Sequence, residues 1–262
     1  MRRVLASMFV MLVNVLGAQV ALAGDVLTKE PLIPVTANSW AGWYVGGNIG
    51  YGWSRPSDPS LSYVDPVALV GFGNYFAAGG DVSPNLNPRG VVGGGQIGFN
   101  WTLTPHWIVG LIGDFQGSGV RAAATNTITP PASVATDQSN SEHMDWFGTV
   151  RAKVGFAQNN WLFYGSAGWA YGNVTTSGSF VASAVPLNFS GSNSVTKSGW
   201  AAGAGFDYAL TSKWIVGVEY LYVHLGTVSY TETDSIDAPG TSITINNRAV
   251  AQIVRASLNY KF

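Results

Sequence analysis

From Trp43 to Phe262 the chain alternates bulky apolar residues with small or polar ones, and the period is two residues rather than 3.6. A period of two marks a strand with two unlike faces. Eight such segments follow one another. In the first, Trp43, Val45, Ile49, Tyr51 and Trp53 share a face opposite Tyr44, Gly46, Asn48, Gly50 and Gly52. In a middle one, Trp146, Val150, Ala152, Val154 and Phe156 oppose Thr149, Arg151, Lys153 and Gly155. In the last, Val250, Val254, Ala256, Leu258, Tyr260 and Phe262 oppose Arg255, Ser257, Asn259 and Lys261. Helical membrane spans are excluded, because after residue 23 no apolar run approaches the roughly 18 residues one requires.

The connections alternate in length. Near 104–106, 157–160 and 211–213 they are three or four residues, whereas roughly 54–89, 117–143, 173–198 and 226–247 are long and rich in Ser, Thr, Asn, Gly and Pro. Short turns at one rim and long loops at the other predict an all-β fold: an eight-stranded antiparallel up-and-down transmembrane β-barrel with short periplasmic turns and long extracellular loops. An even strand count returns both termini to the periplasmic side. One hairpin occurs twice at an offset of 107: Phe99 to Gly110, through Thr104-Pro105-His106-Trp107, aligns with Phe206 to Gly217, through Thr211-Ser212-Lys213-Trp214.

Alternation alone does not say which face meets solvent. A soluble eight-stranded barrel would place the apolar face inside. Charged residues are only 10% of this chain, against ~25–35% on a solvated surface. The apolar face, carrying most of ten tryptophans, is also too bulky for a lumen that holds only filling side chains or one small ligand. The apolar face therefore meets lipid. Trp101, Trp107, Trp161 and Trp214 are then expected in a periplasmic aromatic girdle, and Trp53, Trp146, Trp169 and Trp200 in an outer one. The opposite face is mostly Gly, Ser, Thr and Asn, with charges at Asp114, Arg151, Lys153, Asp207, Glu219 and Arg255, and Lys261 near its end. Charges enclosed in a narrow lumen are costly unless paired. The expectation is an interior ion network that plugs the barrel, with a narrow conduction path as the alternative.

Met1-Arg2-Arg3, the apolar stretch Val4 to Leu16 and the triplet Ala21-Leu22-Ala23 predict a secretory signal peptide over 1–23. Residues 24–39 read as a periplasmic tail and 40–262 as the barrel domain. The chain has no cysteine, so neither disulfides nor thiolate metal sites arise. A formal charge of −1 without a basic stretch gives no pointer to nucleic acid.

Val254-Arg255-Ala256-Ser257-Leu258-Asn259-Tyr260-Lys261-Phe262 resembles the C-terminal signal read by the barrel-assembly machinery, with Leu258, Tyr260 and Phe262 carrying the match. Trp43-Tyr44-Val45-Gly46-Gly47-Asn48-Ile49-Gly50-Tyr51, Met144-Asp145-Trp146-Phe147-Gly148-Thr149-Val150-Arg151 and Trp161-Leu162-Phe163-Tyr164-Gly165 resemble the small outer-membrane immunogenic protein barrels of alphaproteobacteria, similar in architecture to the transmembrane domain of OmpA. The resemblance implies a Gram-negative outer-membrane location. It also implies a structural role in envelope integrity and surface loop presentation, or else a small-solute pore. The partners it implies are the assembly machinery, periplasmic chaperones, outer-membrane lipid and lipopolysaccharide. Ending at the barrel, the chain has no expected peptidoglycan-gripping domain.

A lipopolysaccharide-modifying enzyme is the least favoured alternative, and no catalytic, cofactor or metal site is expected. His106 falls in a periplasmic turn, and neither His143 nor His224 has the His-x-Ser arrangement of a lipid deacylase. Asp65, Asp81, Glu232, Asp234 and Asp237 do not follow a calcium-loop pattern. Gly93-Gly94-Gly95 precedes a strand rather than a helix and cannot cradle phosphate. The segment Pro66 to Ala78 within the 54–89 loop is apolar for an exposed stretch. It is expected to fold over the barrel mouth or lie on lipid, with a surface ligand as the alternative.

Overall fold

A computed structural model describes residues 40–54, 60–64, 86–128, 136–182, 187–234 and 240–262. The expected signal peptide over 1–23, the expected tail over 24–39 and the apolar segment 66–78 lie outside the described residues. The barrel lies within the compact unit Ala37–Phe262.

Eight long strands form the staves: β1 (Gly42–Trp53), β3 (Arg89–Thr102), β4 (Trp107–Ile128), β5 (Thr136–Gln158), β6 (Trp161–Ala182), β7 (Leu187–Ala209), β8 (Trp214–Thr233) and β9 (Ser242–Lys261). Each pairs antiparallel with its sequence neighbours, and β1 pairs with β9 to close the cylinder, from Tyr44↔Lys261 to Trp53↔Gln252. A short strand β2 (Ser60–Val64) adds to the far part of β9, pairing Ser60 with Asn246 and Val64 with Ser242. Closure removes every sheet edge over the span that meets hydrocarbon, where an unpaired backbone group costs several kcal/mol.

Both termini of the barrel sit at the short-turn end, where Phe262 N–H donates to the Trp43 carbonyl at 3.0 Å. The repeated hairpin folds identically twice. Leu103 N–H and Leu210 N–H each donate to the carbonyl of Trp107 or Trp214 at 2.9 Å. The Trp107 and Trp214 amides donate in turn to Thr104 Oγ1 at 3.1 Å and Thr211 Oγ1 at 3.0 Å. The third turn is tighter, with Asn159 in the left-handed region at φ 53°, a conformation Asn tolerates better than most residues.

The far end departs from expectation. Much of 117–143, 173–198 and 226–247 is strand rather than loop: β4 and β5 pair out to Ile128↔Thr136, β6 and β7 to Ala182↔Leu187, and β8 and β9 to Thr233↔Ser242. These extensions are built of Ser, Thr and Asn on their outer face. They lie beyond the aromatic ring, so nothing selects bulky apolar residues there and the alternation that flags a membrane strand fades. β-Bulges mark the change. On β4 the ladder shifts between Gly117 and Val120, and on β5 between Met144 and Trp146. The single extra residue, Asp145, reverses which residues of β5 point inward. Phe147, Thr149, Arg151 and Lys153 are buried on one side of it, and Met144, Asn140 and Gln138 on the other.

The outward face of the staves is apolar: Ile49, Val91, Phe115, Val154 and Leu258 are all exposed. Six of the eight expected girdle tryptophans are exposed as well, while Trp53 and Trp146 are half-buried, the latter stacked on Phe115 at 5.5 Å. Deleting Asp145 should remove the bulge without turning 136–144 over, because Met144↔Val174 and Trp146↔Asn173 then become consecutive pairs and Met144 stays inward. Hydrogen exchange should then show protection over 136–144 kept or raised, with heat-modifiable gel mobility retained.

Candidate functional site

The lumen is filled, and its filling is layered. At the short-turn end Trp40, just before β1, packs inside with Ile108, Ala157, Leu162, Ala209 and Ile215. Asn100 Nδ2 donates to the Trp40 carbonyl at 3.2 Å and fastens it there. Trp40 is thus a lumen residue rather than a member of the lipid-facing girdle.

Above this layer the structure brings the six expected charges together as a set of four and a pair. Glu219 faces Arg255 across the β8–β9 ladder and accepts from its Nε at 2.9 Å and its Nη2 at 2.6 Å. Arg151 reaches Glu219 from β5, and its Nη2 donates to Asp114 Oδ2 at 3.0 Å. Arg255 Nη2 also donates to Asp114 Oδ2, at 2.9 Å. Two guanidiniums and two carboxylates therefore form a closed neutral cycle linking β4, β5, β8 and β9. Thr149 Oγ1 donates to Asp114 at 2.9 Å, and Arg151 donates to Ser166 Oγ at 2.7 Å. Lys153 and Asp207 pair at 2.8 Å, with the ammonium 3.9 Å above the ring of Tyr164. The side chains of these six residues are 0–9% exposed.

Small residues make the room. A Cβ on Gly203 would stand 3.1 Å from both Arg151 Nη1 and Glu219 Oε1. A Cβ on Gly98 would run into the ring of Tyr44, which lies flat across that glycine. Lys261 stays at the short-turn rim, half-buried and opposite Tyr44 in the β1–β9 ladder.

Sequence reading missed what lies above the ions. Val92, Val120, Met144, Phe147, Leu221, Val223, Leu225 and Ile253 form a second apolar layer within the lumen. The available signal was Tyr220-Leu221-Tyr222-Val223-His224-Leu225, where both faces of β8 are bulky and alternation breaks down. Beyond the aromatic ring the lumen is mixed, with Gln138, Asn140, Thr176, Tyr230 and Glu232 buried alongside Phe180, Phe189, Ile243 and Ile245. Tyr230 OH donates to Asn140 Oδ1 at 3.3 Å, and Gly178 lets Glu232 and Asn140 approach β6 closely. Burial pushes the Glu142 and Glu232 carboxyls up to about 7, and burial beside these acids raises Tyr230.

The histidines are spread apart. His106 stacks on Phe156 at 5.6 Å in a short turn, and His224 stacks on Trp200 at 5.7 Å. His143 Nε2 lies 3.6 Å from Asp145. Ser141, two residues away, bonds Ser177 at 2.7 Å. Among the described residues no group of three or more metal-ligating side chains converges.

Residues 11–262 match the family model described as "Outer membrane protein beta-barrel domain". The chain is 34% identical to the 31 kDa outer-membrane immunogenic protein of Brucella melitensis, covering 92% of this chain and 93% of that one. It is 25% identical to the 25 kDa outer-membrane immunogenic protein of Brucella abortus, covering 92% and 91%. It is also 25% identical to the 22 kDa outer membrane protein of Rhizobium leguminosarum bv. viciae, covering 77% and 71%.

Replacing one member of the buried cycle, as in Glu219→Gln, leaves Arg151 and Arg255 sharing Asp114 and should cost about 3–5 kcal/mol in guanidinium unfolding from lipid. Removing both Lys153 and Asp207 (Lys153→Met with Asp207→Leu) should cost less than the sum of the single replacements. The polar layer should respond to pH. A carboxyl raised in the folded state contributes stability that is complete below its unfolded pKa near 4.5 and is lost as pH rises through about 7. Protection factors over β5 and β8 beyond the aromatic ring, taken relative to the intrinsic base-catalysed exchange rate at each pH, should therefore be higher at pH 5 than at pH 8, and Glu232→Gln should reduce the difference.

Proposed function

This chain belongs to the outer membrane protein β-barrel family, and from that premise we propose that it is a closed structural barrel. It contributes to envelope integrity and presents its long-strand end at the cell surface. One observation carries the reading: two apolar layers and an ion layer between them occupy the lumen, with Arg151 and Arg255 among the most buried side chains of the protein. A solute crossing the barrel would have to part buried guanidinium–carboxylate contacts of 2.6–3.0 Å. Breaking one of these without replacement costs several kcal/mol.

The orientation follows from the shape of the two rims. Short turns suit the periplasmic side and long extensions the outside, so both termini of the barrel, which lie at the short-turn end, face the periplasm. The outward line of Leu258 and Tyr260 on β9 and of Phe262 just after it, with Phe262 75% exposed, suits this end of the chain for recognition by the assembly machinery and its chaperones. The role proposed is non-enzymatic: the three histidines sit apart, and the one carboxylate beside His143 lies on the outer wall rather than in a pocket.

Planar bilayers containing the purified protein should show no stable unitary conductance; large, long-lived steps would restore the pore reading. The native chain lacks cysteine, so a single introduced thiol reports topology. Thr231→Cys should react with a membrane-impermeant maleimide on intact cells, and Thr211→Cys only after the outer membrane is breached.

A further inference from the structure

One row of the ladder crosses the outer wall just beyond the aromatic ring. Trp53 faces Arg89, Arg89 faces Arg121, and Arg121 faces His143. Both arginines are exposed. Like charges directly opposite on neighbouring strands destabilise the sheet. Among the described residues neither guanidinium has a hydrogen-bond or ion-pair partner. The nearby acid on this face, Asp145, lies 3.6 Å from His143 and accepts from Thr175 Oγ1 at 3.4 Å. The interior arginines show the opposite pattern, each held by two carboxylates.

The place of the row matters as much as its charge. Val91 lies two residues below Arg89 on the same face and is 58% exposed, a position for hydrocarbon. Trp53, directly across the ladder, and Trp146, three residues below His143, belong to the aromatic ring that sits at the boundary of hydrocarbon and headgroups. Two unpaired guanidiniums on adjacent strands at that depth meet whatever anion the outer leaflet supplies. A guanidinium presents two parallel N–H donors that match phosphate oxygens.

We propose that Arg89 and Arg121 form a clamp for a phosphate of a phosphorylated glycolipid in the outer leaflet. The phosphate neutralises the like-charge pair that the strand register imposes, so the lipid completes the outer wall at β3 and β4. The clamp rests on the orientation proposed above. If the thiol-labelling test fails, the orientation falls with it; if labelling succeeds and binding fails, the clamp alone is lost.

The test uses the full barrel in nanodiscs of phosphatidylcholine doped with lipid A, carrying either both phosphates or none after phosphatase treatment. Retained lipid is read by native mass spectrometry. The intact protein should hold phosphorylated lipid A at least tenfold more tightly than the dephosphorylated form. Arg89→Gln with Arg121→Gln should abolish that preference while keeping heat-modifiable mobility, since both side chains lie on the surface. Arg89→Lys with Arg121→Lys should retain only part of it, because an ammonium keeps the charge and loses the fork. Arg248→Gln, which removes an exposed arginine on β9, should leave it unchanged. Equal retention of the two lipids, or no loss in the double Gln variant, overturns the clamp. Displacement of the lipid by millimolar inorganic phosphate would mark a free-anion site and overturn the glycolipid assignment.

Discussion

In hydrocarbon every backbone donor and acceptor must find a partner within the chain, and the pairing of β1 with β9 is how this protein meets that demand. The two strands are joined by register alone, from opposite ends of the barrel sequence. Once they pair, the sheet has no edge over its lipid-facing span. The inside and outside of each stave are then set, because side chains alternate strictly. The wall in turn fixes the lumen, since a cylinder of eight strands has room for side chains and little else.

That narrow interior explains the layering. Ions placed alone in a dry core would be expensive, and attraction between partners repays the loss of hydration only when geometry is close and no charge is left over. Here two guanidiniums and two carboxylates cancel, Lys153 cancels Asp207, and Thr149 and Ser166 occupy further donors and acceptors. Apolar side chains close the layer from both sides. The cycle also spans the chain: Asp114 and Arg255 are 141 positions apart and touch at 2.9 Å. Such contacts hold distant staves in one register, so a slip of either strand by one residue would turn a buried charge toward lipid.

Outside the aromatic ring the demands change and the wall continues under different rules. The bulge at Asp145 reverses the facing of β5, and the extensions carry mostly hydroxyls and amides outward and a mixture of polar and apolar side chains inward. The segments that sequence reading takes for loops are of this kind. Their residues favour strands only through pairing with neighbours, and that pairing has no local signature. The same blindness hid the upper apolar layer, because Leu221 and Val223 alternate with Tyr220, Tyr222 and His224 and both faces of the strand look alike. By contrast the repeated Thr-x-x-Trp hairpins were visible in the sequence, since the threonine that accepts from the tryptophan amide lies within the same short turn.

What the amino-acid sequence by itself determined is the material of this protein: eight two-faced staves, the greasy side outward, tryptophans near the ends and a small complement of charges on the enclosed side. Those features follow from local periodicity and from the cost of charge in lipid, both readable one segment at a time. Only the tertiary structure decided which charges meet, that Trp40 enters the lumen, that Gly203 leaves space for a guanidinium, and that Arg89 stands beside Arg121. Each of these depends on inter-strand register. Register is a relation between segments distant in sequence, set by closure of the whole cylinder rather than by any one strand.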